Sequence, residues 1–192
     1  MSNLIPWVVD KTAKGERSLD IFSRLLKERI IFIGATLDVN MANTVIAQLL
    51  YLAKESKTED INLYINCWGG AVVAGLSIID TMNYVKPDVS TTVIGVAASG
   101  GAWLLSAGTK GKRFALPNAE VMLHQPHGGV KGQASDIVRA AENIARTKDK
   151  LYDLISKQTG KSKSKIEKDF DRDFWMTASE AKEYGIVDKI IK

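Results

Sequence analysis

The sequence predicts an α/β domain of repeated strand–helix units, and three observations carry that prediction. Short β-branched or apolar runs alternate with longer stretches of helical apolar spacing along most of the chain. Glycines at Gly34, Gly69-Gly70 and Gly185 fall where one kind of run gives way to the next. No internal repeat, low-complexity tract or Pro/Gly/Ser-rich linker divides the 192 residues, so one domain with a sizeable core is expected.

Taken in order, Ser18 is expected to cap a short helix carrying Ile21, Leu25 and Leu26, followed by the strand Ile30-Ile31-Phe32-Ile33 ending at Gly34. Asn40 then caps a helix whose apolar positions include Met41, Val45, Ile46, Leu49, Leu50 and Leu52. Residues 61–66 read as a strand, Gly69-Gly70 as a turn and residues 72–85 as a helix. Thr91-Thr92-Val93-Ile94 begins a strand that ends near Val96; a turn at Ser99 follows, and the next helix runs through Leu105. Residues 134–158 keep helical spacing at Ile137, Ala141, Ile144, Leu151 and Ile155. At 1.5 Å per residue that helix is roughly 37 Å long, a large span for a domain of this size. It follows the loose segment Gly128-Gly129-Val130-Lys131-Gly132, and the pattern fits either a helix projecting towards another subunit or one inside the core. Ser164-x-x-Glu167 and Thr177-x-x-Glu180 predict capping boxes. The second of these helices ends at Gly185, before a strand at Ile186-Val187 and Ile190-Ile191.

Composition narrows the function. A hydrophobic content of 45% and a net charge of +4 are ordinary for a globular chain. The lysines of residues 157–168 and Lys110-Gly111-Lys112-Arg113 have no interleaved aromatics, so they read as a solvated face rather than a nucleic-acid surface. A single cysteine, Cys67, excludes an intrachain disulfide and a multi-cysteine zinc site and suits a reducing compartment. At a strand end it reads as a small buried residue, not a nucleophile. The first residues, Met1 to Trp7, lack the layout of a signal peptide. Residues 89–109 carry no charge, a run long enough to cross a bilayer, but ten of them are Gly, Ser or Thr. A buried strand, turn and helix is the better reading, and a cytoplasmic protein with neither membrane nor nucleic-acid partner is expected. Gly160-Lys161-Ser162 matches the end of a phosphate-binding loop, yet Ile155 stands where the leading glycine belongs and a helix precedes it. No nucleotide site follows.

Ser99 is the chemical focus. It lies in Gly95-Val96-Ala97-Ala98-Ser99-Gly100-Gly101-Ala102-Trp103, between a β-branched run and a stretch able to form a helix. A serine between small residues at such a turn exposes its hydroxyl at the sheet edge, and the amides after it can face a developing negative charge. Only two histidines are available as a base. His124 follows the apolar run Val121-Met122-Leu123 and can be held rigidly; His127 lies between Pro126 and two glycines, a poor setting for positioning. A carboxylate should orient the imidazole, and Asp169, Asp171 and Asp173 are the candidates. Flanking aromatics single out Asp173 as the one expected to be partly buried. Gly100 supplies one oxyanion amide and Gly69-Gly70 the natural second, because glycine lets a substrate backbone come close. The context Ala97-x-Ser99-x-Gly101 matches only half of the G-x-S-x-G pattern.

Several longer motifs carry a family resemblance. Gly15-Glu16-Arg17-Ser18, Ser23-Arg24-Leu25-Leu26-Lys27-Glu28-Arg29, Tyr64-Ile65-Asn66, Ala97-Ala98-Ser99, Lys112-Arg113-Phe114-Ala115-Leu116-Pro117-Asn118, His124-Gln125-Pro126 and Glu183-Tyr184-Gly185-Ile186-Val187-Asp188 closely resemble the ClpP family of proteolytic subunits. The similarity runs from about Leu4 to Ile191. It implies a ClpP/crotonase-type superhelix of strand–strand–helix units over a single domain, 1–192. Residues 1–18 would form an axial N-terminal segment. Residues from about 126 to 158 would form a handle, made of the projecting helix and the glycine-rich strand before it. It also implies a serine endopeptidase that degrades unfolded polypeptides inside a barrel of two stacked heptameric rings.

On that resemblance Ser99, His124 and Asp173 fall on the catalytic positions, and Gly70 and Gly100 on the oxyanion amides. Asp171 and Arg172 fall on an acidic–basic pair across the ring interface. Tyr64, Tyr84, Ile94, Phe114, Leu116 and Ile191 fall on a pocket where a AAA+ unfoldase of the ClpX or ClpA type docks. ATP would be used by that partner, so neither a cofactor nor a metal is expected in this chain. The departures are Cys67-Trp68 in place of the usual Ser-Pro, Gly100 where methionine is common, and Asn62 and Thr92 at pocket positions that are often apolar. Two other functions share parts of this picture. A non-catalytic ring subunit would lose triad residues, and a crotonase-type acyl-CoA enzyme uses paired amides without a serine–histidine–aspartate set.

Overall fold

The computed structural model describes residues 5–12 and 15–192; residues 1–4 and 13–14, part of the expected axial segment, lie outside the described residues. The chain opens with an antiparallel hairpin, β1 (Trp7–Thr12) and β2 (Gly15–Asp20), which pairs Trp7 with Asp20 and Thr12 with Gly15. Ser18 therefore sits in a strand and caps nothing. Helix α1 (Ile21–Lys27) is capped by Asp20, whose carboxylate accepts from the Ser23 amide at 3.0 Å. The order then alternates: β3 (Ile30–Ile33), α2 (Val39–Glu55), β4 (Ile61–Cys67), α3 (Val72–Tyr84), β5 (Val89–Ala98), α4 (Gly100–Ser106), β6 (Arg113–Ala115) and β7 (Glu120–Leu123). The remainder is α5 (Ala134–Thr159), α6 (Lys163–Asp169), β8 (Phe174–Thr177), α7 (Ala178–Tyr184) and β9 (Lys189–Ile190).

The main sheet has the parallel order β3-β4-β5-β6-β9, with β7 also parallel to β5 and β8 antiparallel to β7. This is the mixed α/β fold, mostly parallel, that the sequence implies. Parallel strands covered by helices need apolar residues along their length, and β5 is buried from Val89 through Val93. β5 has two successive neighbours along one edge: β6 lies against Thr91–Val93 and β7 against Val96–Ala98. The division falls at Gly95, at φ 88°, where a Cβ would meet the Asn66 Oδ1 at 2.8 Å. On the opposite edge, where the β4–β5 register shifts between Ile65 and Cys67, the Asn66 side chain accepts from the Val96 amide.

Two further caps differ from expectation. Asp38, not Asn40, caps α2, accepting from the Met41 amide at 2.7 Å. Ser162, not Ser164, caps α6, accepting from the Lys165 amide at 3.3 Å. In both places the side chain two residues earlier reaches the free amides first, leaving the expected residue inside the helix. The Thr177–Glu180 capping box is present.

α5 answers the question its length raised by doing both things. Only Leu151, Tyr152 and Ile155 are buried, so its C-terminal turns dock on the domain, while residues 134–150 bury no side chain. The glycine-rich strand implied ahead of α5, from about residue 126, is not formed. A strand needs an edge to pair with, and no strand of the described residues runs beside this segment. Behind the sheet, Arg113 is buried and grips Asp188 through Nε–Oδ2 at 2.9 Å and Nη2–Oδ1 at 2.6 Å, while its Nη1 donates to the Gln158 carbonyl. Burial pushes the Asp188 carboxyl up. The Arg113 side chain and backbone, with the Gly111 amide, outweigh that and hold it below the ordinary carboxylate range. The Ser106 hydroxyl adds a bond to the Gln158 Oε1, and the Thr91 hydroxyl donates to the Leu105 carbonyl at 2.7 Å. These contacts fix α4, the helix that follows Ser99, against β5 and α5. No helix of the described residues is long and apolar enough to cross a membrane.

Candidate active site

β5 runs to Ala98, one residue short of Ser99. The Ser99 amide adds a last rung to the sheet by donating to the Met122 carbonyl at 2.8 Å. The backbone then turns sharply: Ser99 has φ 51° and ψ −119°, a conformation L residues rarely adopt, and α4 begins at Gly100. Such a turn costs on the order of 1–3 kcal/mol and persists because the strand and helix either side are fixed. Its effect is to lift the hydroxyl out at the carboxyl ends of parallel strands, where open α/β sheets form their crevices.

His124 follows β7 directly. Its Nε2 lies 2.9 Å from the Ser99 Oγ, and its Nδ1 lies 3.1 Å from the Asp173 Oδ1. The antiparallel register of β7 and β8 explains how Asp173 arrives. Leu123 pairs with Phe174, so the next residues outward, His124 and Asp173, come face to face. A proton on Nδ1 donated to Asp173 leaves Nε2 free to accept from the serine.

The burial expected of Asp173 is not observed: its side chain is 61% exposed. Phe174, the neighbouring aromatic, turns inward against Phe170 and Tyr184, which sends Asp173 the other way, towards the cleft. The sheltered carboxylate is Asp169, held by the Tyr184 hydroxyl at 2.8 Å and by Lys165 at 2.9 Å. Burial raises the Asp169 carboxyl, and those two partners more than offset it to leave it lowered. Burial, followed by the bond to Asp169, pushes the Tyr184 hydroxyl well up.

Two amides complete the cleft. Gly70 bridges to Leu37: the Leu37 amide donates to the Gly69 carbonyl and the Ala71 amide to the Leu37 carbonyl, both at 2.8 Å. Only glycine fits there, since a Cβ on Gly70, at φ 148°, would stand 2.3 Å from the Leu37 carbonyl oxygen. Neither bond uses the Gly70 N–H. The Gly100 N–H is at the first turn of α4, where no intrahelical acceptor exists. A Cβ built on Gly100 would lie 3.7 Å from the Gly70 nitrogen, so the two amides are close neighbours beside Ser99. The cleft has a volume of about 390 Å³, and its lining includes Trp68, Gly70, Ser99, Met122, His124 and His127. His127 is closer to the site than the sequence suggests, its ring 5.1 Å from that of His124 and edge-on to it.

Thr36 and Met122 line the cleft without a signal being read from the sequence, and Trp68, which stands out there only as a departure from the family pattern, lines it too. The signal for Met122 was its two-residue offset from His124 on one strand. Cys67 is buried beneath this loop, its sulfur accepting from the Gly69 amide. Burial pushes its thiol up, against that bond, which removes it as a nucleophile.

Asp171 and Arg172 are both exposed and pair with each other, Nη1 to Oδ2 at 3.3 Å, while Gln125 donates to the Asp171 carbonyl. Across the sheet, Phe32, Tyr64, Thr92 and Phe114 stand in one row of the register. These side chains are part-exposed apart from buried Thr92, and Ile94 and Leu116 are also part-exposed. Ile191 joins that edge through its amide, bonded to the Ala115 carbonyl. Tyr84 lies apart from the row at the end of α3 and is largely exposed. Asn62 stands two residues before Tyr64, in the neighbouring row Ile30–Asn62–Ser90, and accepts from the Ser90 hydroxyl at 2.9 Å. Among the described residues no group of three or more His, Cys, Asp or Glu side chains could hold a metal ion.

A serine raised on a strained strand-to-helix turn, within reach of a histidine that a carboxylate orients, is the layout of a serine hydrolase. The family model for Clp protease matches residues 13–192. The chain belongs to the Clp protease family and is a ClpP-type protease, in agreement with the resemblance its motifs carry.

Proposed function

We propose that this chain is the proteolytic subunit of an ATP-dependent Clp protease, a cytoplasmic serine endopeptidase that cleaves unfolded polypeptides. The observation that carries the reading is the line from the Ser99 Oγ through His124 to Asp173, with spacings of 2.9 and 3.1 Å. His124 Nε2 takes the serine proton as Oγ attacks the peptide carbonyl. The oxyanion that forms is met by the Gly70 and Gly100 amides, and His124 returns its proton to the leaving amine. Asp173 holds the ring in the useful tautomer and stabilises the imidazolium. Water then releases the acyl group by the same steps. Neither a non-catalytic ring subunit nor a crotonase-type acyl-CoA enzyme has a use for this line of three groups. The test is labelling with a fluorophosphonate probe: a single adduct is expected on the peptide that contains Ser99. An unlabelled, folded protein would defeat the reading.

The assembly belongs to the same proposal. Two heptameric rings stack through the handle of residues 126–158, whose helix presents the uncovered turns of 134–150. Residues 1–18 form the axial segment. A AAA+ unfoldase of the ClpX or ClpA type docks at the surface that includes Tyr64, Tyr84, Ile94, Phe114, Leu116 and Ile191, and it alone uses ATP; this chain needs no cofactor or metal. Asp171 and Arg172 contribute to the ring contact. Because they directly precede Asp173, loss of that contact should loosen the carboxylate from His124. Arg172→Ala is therefore expected to shift the population towards single rings and to lower peptide hydrolysis roughly tenfold or more. Sedimentation velocity and hydrolysis on one sample across a salt series check this. An inactive variant that stayed fully double-ringed would break the link, and so would an active single ring.

A further inference from the structure

Beside Ser99 and His124 stands an apolar wall that the steps above do not use. Met122 and Trp175 are directly opposite each other on β7 and β8. Since side chains alternate along a strand, Met122 shares the face of His124, and Trp175 shares the face of Asp173. Trp68 reaches across from the turn after β4 and sets its indole edge-on to that of Trp175, ring centroids 6.1 Å apart at 69°. Trp68 and Met122 both line the cleft that holds Ser99 and His124. Large aromatic side chains are usually withdrawn from water, yet Trp68 is 66% and Trp175 45% exposed. Trp68 lies open in the lining of the cleft, with the exposed Trp175 beside it.

We infer that Trp68, braced by Trp175, forms a side-chain subsite that selects an aromatic residue at a position flanking the scissile bond. The inference rests on the serine-hydrolase reading of the site and adds a substrate preference to it. Its backbone support is firm: the preceding Cys67 is buried, with its sulfur 3.1 Å from the Ala35 carbonyl and 3.3 Å from the Gly69 amide. Trp175 stands on a paired strand. An edge-to-face pair of this kind leaves indole surface free for a third ring. An aromatic substrate side chain gains a ring–ring contact there as well as burial, whereas an aliphatic one of similar size gains burial alone. Trp68 is thus the specificity-determining residue, and Trp175, which acts through it, is a positioning residue. A proline at position 68, usual in the resembling family, would offer no such surface.

The test is hydrolysis, by the assembled full-length protein, of matched fluorogenic peptides that differ only in carrying Phe, Leu or Ala at each residue flanking the cleaved bond. The parent protein is expected to favour Phe over Leu at one of the two positions by roughly tenfold in kcat/KM, expressed mainly in KM. Trp68→Ala should bring that ratio close to one, Trp68→Phe should keep most of it, and Trp175→Leu should reduce it partway. Because the readout is a ratio between peptides on one sample, a partly folded preparation does not mimic the effect. If Trp68→Ala does not fold, the Trp175→Leu ratio still decides. A parent ratio near one, or a ratio unmoved by the Trp68 and Trp175 variants, overturns the subsite. Unmoved ratios with a loss of double rings in sedimentation would assign the wall to a subunit contact instead. Fluorophosphonate labelling of the same samples separates the two levels. No adduct in the parent defeats the serine-hydrolase reading, while a normal adduct with a flat peptide profile defeats only the subsite.

Discussion

Ser99→Ala is expected to lower peptide hydrolysis by roughly five to six orders of magnitude, about 7 to 8 kcal/mol of transition-state stabilisation. The melting temperature and the assembly should stay close to those of the parent. The reasoning is local. The Ser99 Oγ bonds to the His124 Nε2, and the removed atom is small and only part-buried. The unusual backbone at φ 51° is imposed by β5 and α4 and does not depend on the hydroxyl. The Gly70 and Gly100 amides remain and account for whatever slow hydrolysis survives. Fluorogenic-peptide assays and thermal melts on one purified preparation give both quantities. A variant that retains hydrolysis within tenfold of the parent removes Ser99 as the nucleophile.

Loss of His124 should be as damaging as loss of Ser99, and the double variant Ser99→Ala/His124→Ala no worse than either single one, because the groups act as a unit. His127→Ala is the informative contrast. Its ring stands 5.1 Å from that of His124 and shares the cleft. Only His124, however, has one nitrogen 2.9 Å from the Ser99 Oγ and the other 3.1 Å from a carboxylate. His127→Ala is therefore expected to cost roughly tenfold or less, through looser packing of the His124 ring. Steady-state kinetics on the two single variants and the double variant decide it. The reverse order of severity would transfer the role of base to His127.

The site and the fold were legible to different depths, and the reasons are physical. Ser99 could be read from its own neighbours, since a serine among small residues between a β-branched run and a helix has few other conformations open to it. Asp173 could not be read that way. Burial was the wrong criterion, because the Phe174 side chain takes the inward direction and Asp173 meets His124 through strand register, a property of two distant segments at once. The helices were evident from their apolar spacing, but three of their starts lay two residues from the expected cap. Asp20, Asp38 and Ser162 each compete with a neighbour of similar chemistry, and only the path of the incoming chain chooses between them. The β1–β2 hairpin carries mostly exposed residues among those whose burial is described, so it has no strong alternation to announce it. Trp68 and Trp175 are far apart in sequence and meet only in the folded chain.

α5 has one further consequence. A helix of 26 residues looks like a single object, yet in free-energy terms it is two. Amides near Leu151, Tyr152 and Ile155 exchange with solvent only when the docked turns separate from the domain, an event that costs a large share of the global stability. The amides of residues 134–150 have no such anchor. With no buried side chain to hold it, this stretch opens its hydrogen bonds by fraying from the N-terminal end, at a cost well below the global stability. The same chain therefore carries an internal thermometer at one end of the helix and a reporter at the other. Slow exchange in the first turns of α5 records the presence of a neighbour, and slow exchange in the last turns records that the domain itself is folded.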